Sequence, residues 1–204
     1  MRQAEGSAGL LRECQAAWDS WERFSASRLG TALMLLWAAA EAIAWPIIPD
    51  FLLVPMAAGN RRCFYRPLAA AIAGAAIGGT LFYLFAFWAP SQAAAYLVHL
   101  PLTGHGSVEV HQQFAEHGAA AFVYQPLSGI PFKVWAIAGG SEGIKPWQSI
   151  PIFVVARGLR MTVFATIARV AAGLFSGFFR EFSLFLLAIY LVLFFYGWWQ
   201  VVSS

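Results

Sequence analysis

Long apolar runs separated by short polar breaks organise this chain, and the pattern inside each run differs. Residues 67–90 form an uninterrupted apolar stretch rich in alanine and glycine, with Gly74, Gly78 and Gly79 placed to let a neighbouring helix approach closely. Residues 182–199 are uncharged and end in Trp198-Trp199, the pattern of a spanning helix with an interfacial aromatic belt. A third run, from Pro146 to Val170, is apolar except for Arg157 and Arg160. Because about 20 apolar residues cross ~30 Å of hydrocarbon, these runs predict about three full membrane spans. Before them, residues 8–28 alternate Leu10, Leu11, Cys14, Trp18, Trp21 and Phe24 with charged side chains. That stretch, assigned to a domain of residues 1–28, reads as an amphipathic helix on the membrane surface with its tryptophans at headgroup level.

Two further runs are broken. Residues 29–59 begin as an apolar helix but contain Glu41, Asp50 and three prolines, Pro46, Pro49 and Pro55, and end at Gly59. An ionised carboxylate at membrane depth costs at least about 2.5–3.5 kcal/mol, so it needs a partner or a wet cavity. Irregular backbone there must likewise be covered by protein or water. Residues 118–140 repeat the theme: an apolar lead-in meets Pro126, Gly129, Pro131 and Lys133 and returns to Gly139-Gly140. Both stretches are expected to be re-entrant hairpins, near 29–60 and 118–145. Each is followed by a spanning helix, which suggests an inverted repeat and a binding site where the broken segments meet.

Composition sharpens this reading. The 204 residues are 60% hydrophobic and 11% charged, against ~25% charged in ordinary globular domains. No Asp, Glu, Lys or Arg occurs between Arg66 and Glu109. The net charge of +3 is small and dispersed, which gives a nucleic-acid partner no support. The fold class is therefore an all-α integral membrane protein, with no signal peptide ahead of the first apolar run. Cys14 and Cys63 match no metal or redox spacing. His99, His105, His111 and His117 are spaced by six, which turns a helix by about 240°, so they share no face and read as surface residues of a polar connection, 91–117.

Charge distribution favours the hairpins. If 29–59 enters and leaves on one side, Arg2, Arg12, Arg23, Arg28, Arg61, Arg62, Arg66, Arg169 and Arg180 collect there, and only Lys133 and Lys145 lie opposite. The positive-inside rule then places the N-terminus in the cytoplasm. Within the third run, Arg157 and Arg160 are three apart and project from one helical face. Glu41 and Asp50 are the only deeply placed carboxylates able to meet them. Such pairs either hold the two halves together or yield to a phosphate-bearing lipid head, which Arg forks bind bidentately. Protonation of a carboxylate would then free an arginine and couple proton entry to lipid movement.

Glu41…Pro46-Ile-Ile-Pro49-Asp50…Pro55…Gly59, the later Pro126…Pro131…Gly139-Gly140, and Arg157-Gly-Leu-Arg160 resemble the DedA family, the bacterial branch of the VTT-domain (SNARE-associated Golgi) proteins, over roughly residues 30–175. The resemblance implies a bacterial inner-membrane protein with two re-entrant hairpins. It also implies a proton-dependent flippase or scramblase moving phospholipid or polyprenyl phosphate, such as undecaprenyl phosphate, between leaflets. Glu41 and Asp50 match the family's acidic pair, and Arg157 and Arg160 its essential arginines. Many members carry arginines on either side of the second hairpin's proline. This chain has Gln125 and Lys133 there, the version of a divergent subgroup.

The expected layout is thus a surface helix at 1–28, a DedA/VTT-like membrane domain at 29–175 and a C-terminal transmembrane helix at 181–204. The expected transport site comprises Glu41, Asp50, Lys133, Arg157 and Arg160, shaped by Pro46, Pro49, Pro55, Gly59, Pro126, Gly129, Pro131, Gly139 and Gly140, with no metal and no cofactor. Membrane lipids and protons are the expected partners, and glycine-rich faces permit a homodimer. A proton-coupled transporter of a small cation or solute is the alternative, since the same carboxylates would serve it. An enzyme is not expected, because Ser128 has no histidine at comparable depth to act as its base.

Overall fold

A computed structural model describes residues 2–44, 47–59, 64–98 and 106–203. Pro46, Arg61, Arg62, Cys63, His99, Pro101 and His105 of the sequence reading lie outside these residues. The described residues are all-helical: α1 (Arg2–Ala26), α2 (Arg28–Ile43), α3 (Asp50–Gly59), α4 (Tyr65–Trp88), α5 (Pro90–Val98), α6 (Ser107–His117), α7 (Phe132–Ser141), α8 (Pro146–Leu174), α9 (Ser176–Glu181) and α10 (Ser183–Ser203). Two short 3-10 turns, Gly118–Val123 and Gln125–Leu127, lead into α7.

Two helices, α4 and α8, are long and apolar enough to cross a membrane, and a third crossing is formed if α1 and α2 act as one bent span. They meet at 70° around Ser27, whose side chain accepts a hydrogen bond from the Gly30 amide and so caps α2. The expected last span forms α10, whose stretch Ser183–Trp199 is apolar but shorter. Val155, Leu159, Val163 and Ile167 recur every four residues on α8 and are 47–68% exposed. An exposed apolar stripe of this kind suits contact with lipid rather than water.

Because lipid tails are as apolar as leucine, close packing rather than burial from water must hold such helices together. The glycines of α4 supply it. A Cβ on Gly74 would lie 2.2 Å from the Leu35 carbonyl oxygen, and one on Gly78 would lie 2.3 Å from that of Ala39, so α2 rests directly on the α4 backbone. One core cluster joins α2, α3, α4 and α8 through Met34, Leu53, Met56, Ala71 and Met161. A second, aromatic cluster brings Tyr83, Phe114, Phe122, Phe132, Trp135 and Phe153 together around α4, α6, α7 and α8. The Tyr83 hydroxyl fixes the start of α8 to α7, bonding the Gly139 carbonyl at 3.2 Å, the Ile144 carbonyl at 2.8 Å and Ser149 Oγ at 2.9 Å.

Several expectations are corrected. Pro55 lies inside α3 and does not break it. Proline lacks the N–H that the carbonyl four residues earlier needs, here that of Phe51. The Tyr190 hydroxyl of α10 donates to this carbonyl at 2.5 Å, so the helix continues with its backbone satisfied. Two tryptophans of α1 are engaged with the rest of the protein. Trp18 is buried, and Trp21 Nε1 donates to the Pro55 carbonyl at 2.8 Å. The connection 91–117 contains two helices, α5 and α6, with Gly106 (φ 90°) and Gly118 (φ 55°) at the ends of α6. His111 and His117 are exposed on α6, as expected, and His111 Nδ1 lies 2.9 Å from Glu142 Oε1.

Candidate functional site: two ion pairs facing one cavity

α3 and α7 each begin immediately after a proline, Pro49 and Pro131, which sets an extended or turned lead-in and leaves a helix N-terminus beyond it. The Pro49 carbonyl accepts from the Leu52 and Leu53 amides, and Asp50 becomes the first residue of α3, where the helix dipole favours a carboxylate. Glu41 sits in the last turn of α2. Both acids therefore flank the short break between α2 and α3.

α8 supplies the opposite charges. Arg157 Nη2 donates to Glu41 Oε2, and Arg160 Nη2 donates to Asp50 Oδ2 at 2.5 Å. The first pair is the deeper: its side chains are 9% and 6% exposed, against 28% and 11% for Arg160 and Asp50. Aromatic rings complete the seats. Arg157 lies over the Phe132 ring, 4.6 Å from its centroid, and Arg160 over Phe164 at 5.5 Å, an arrangement that stabilises a cation away from bulk water. Lys133 of α7 is buried, and its Nζ donates to the Ala44 carbonyl at the C-terminal end of α2 at 3.3 Å. A cation suits that carbonyl-rich helix end.

All five expected charged residues line one cavity of about 470 Å3, together with Pro49, Gln125, Pro126, Gly129 and Pro131. Three cations against two carboxylates leave its lining a formal surplus of one positive charge. Three buried polar atoms of the lining side chains, Asp50 Oδ1, Gln125 Oε1 and Arg157 Nε, have no hydrogen-bond partner among the described residues. Buried polar atoms are ordinarily bonded, so these mark unused bonding capacity at the cavity. Gly129, at φ 73°, turns the chain between the second 3-10 turn and Pro131. Ser128 closes that turn, donating to the Gln125 carbonyl at 3.0 Å and accepting from the Ile130 amide at 3.1 Å.

The remaining shaping residues do other work. Gly59 is the last residue of α3, and Gly139 and Gly140 lie inside α7. Each permits close contact: an added Cβ would meet Trp21 at 2.6 Å, Phe114 at 2.9 Å or Ala86 at 2.7 Å respectively. Phe132 and Phe164 were missed by sequence reasoning. Phe164 was within reach of it, standing four residues after Arg160 on the same helical face.

The chain matches no protein-family model, and no curated protein or solved structure is detectably similar to it.

Proposed function

We propose that this chain is a DedA-like membrane transporter that moves an anionic phospholipid or polyprenyl phosphate between leaflets. The observation that carries the reading is the pair of Arg–carboxylate contacts facing a shared cavity, with the Arg157 Nε–H lacking a partner among the described residues. A guanidinium binds phosphate in the same forked geometry as it binds carboxylate. A lipid phosphate can thus displace Glu41 from Arg157 or Asp50 from Arg160 without leaving the guanidinium bare. The displaced carboxylate then favours taking up a proton, which would link lipid movement to the proton gradient.

In this reading α2–α3 and the segment ending in α7 are re-entrant hairpins related as an inverted repeat, their prolines bringing both helix starts to the site. The arginine-rich side, including the N-terminus, faces the cytoplasm of a bacterial inner membrane, and the protein acts without enzymatic chemistry or cofactor. A lining with a formal surplus of positive charge weighs against a small-cation carrier.

Purified protein in liposomes tests this. A labelled anionic phosphate lipid should reach the opposite leaflet faster than in protein-free vesicles. Cation-driven proton flux without lipid movement would replace the reading with the solute transporter.

A further inference from the structure

A second, larger cavity of about 910 Å3 lies beside the first, walled by α1, α3, α8, α9 and α10. Its lining is almost wholly apolar, with Phe51, Val54, Ala168, Leu186 and Leu187 among its walls. It adjoins the charged cavity. Ile48, Asp50 and Phe164 line both. Between them stand Asp50, paired with Arg160 on the charged side, and the Phe164 ring against that guanidinium, at the more exposed of the two ion pairs. A cavity with a surplus of positive charge thus stands next to a long hydrocarbon-like one. Each is of the roughly 300–1,000 Å3 size that small-molecule sites occupy.

We propose that the apolar groove holds the hydrocarbon chain of the same anionic lipid whose phosphate engages Arg160, so that the lipid crosses with its chain guided along α3 and α10. This rests on the lipid-transport reading and adds to it a chain-binding subsite. Only an amphiphile matches both halves: a free phosphate would leave the groove unused, and a neutral hydrocarbon would leave Arg160 and Asp50 to each other. Tyr190 contributes to the groove's shape, because its bond to the Phe51 carbonyl holds α10 against α3 where the two form facing walls.

The test uses phosphatidic acid with a photoreactive group in mid-chain, at trace level in phosphatidylcholine nanodiscs, and diacylglycerol with the same chain as the control. Phosphatidic acid should label Val54, Leu186 and Leu187 about tenfold more than diacylglycerol, the factor that one charge-assisted hydrogen bond supplies. Arg160→Gln should bring the two probes level. Ala168→Trp, which fills the groove, should remove the excess while glycerol phosphate still binds in calorimetry. Leu187→Trp, from the exposed side of α10, serves the same purpose if the first variant does not fold. Equal labelling by both probes with glycerol phosphate still bound would overturn the groove alone, leaving bulk lipid as its occupant. Equal labelling with no glycerol phosphate binding to the unaltered protein would overturn the lipid reading as well.

Discussion

Removing one partner of the deeper ion pair should cost far more than removing both. In Glu41→Met the Arg157 guanidinium stays buried, with its side chain 9% exposed, but loses its carboxylate. Breaking a buried pair in this way costs about 3–5 kcal/mol. In Arg157→Met the cost falls on Glu41, 6% exposed, relieved in part by Lys133 at the same cavity. The double methionine variant removes both charges together, and replacing a buried pair by hydrophobic side chains of similar volume is often close to neutral. The cycle should therefore return a coupling of at least about 2 kcal/mol. For Asp50 and Arg160, the arginine is 28% exposed, and an exposed pair contributes about 0–1 kcal/mol, so that coupling should be the smaller. Unfolding of the purified variants in mixed micelles gives these energies. Additive single effects at Glu41 and Arg157, with coupling below about 0.5 kcal/mol, would refute the reasoning that the pair holds α2 to α8.

Three other predictions concern the frame around the site. Tyr190→Phe should cost about 1–3 kcal/mol, because it orphans the Phe51 carbonyl that Pro55 cannot serve, and protease access at α10 should rise with it. Tyr83→Phe removes a hydroxyl bonded to two carbonyls and Ser149, and a loss of about 1–3 kcal/mol should lower the thermal midpoint. Gly78→Ala drives a methyl against the Ala39 carbonyl, and overpacking should destabilise the protein by about 1–3 kcal/mol in the same micelle assay.

The apolar runs made α4, α8 and α10 legible, since a continuous hydrophobic stretch of that length leaves few alternatives. The three-residue spacing of Arg157 and Arg160 made their shared face legible too. Which acid each arginine would meet was not, because the partners lie 116 and 110 residues away and only packing decides the match. The prolines of the broken runs were informative at Pro49 and Pro131, where each sits just before a helix. Pro55 misled, because the phenol that compensates for it comes from α10. Gly139 and Gly140 misled in a related way: a glycine that turns the chain and one that admits a neighbour look alike until the neighbour is placed. Gly106 and Gly118 bracketed α6, but the polar residues between them resembled a loop. The groove was least visible, since five separate helices contribute its walls and the residues they supply are ordinary apolar ones.

The central claim is that Arg157 and Glu41 carry lipid rather than merely hold the fold. Translocation of a labelled anionic phosphate lipid, measured in liposomes containing equal amounts of inserted protein, tests it most directly. The account predicts rapid translocation by the unaltered chain and by His111→Ala, a change on the exposed face of α6, and loss of translocation in Arg157→Ala and in Glu41→Gln despite normal insertion. A fully active Arg157→Ala protein would contradict it.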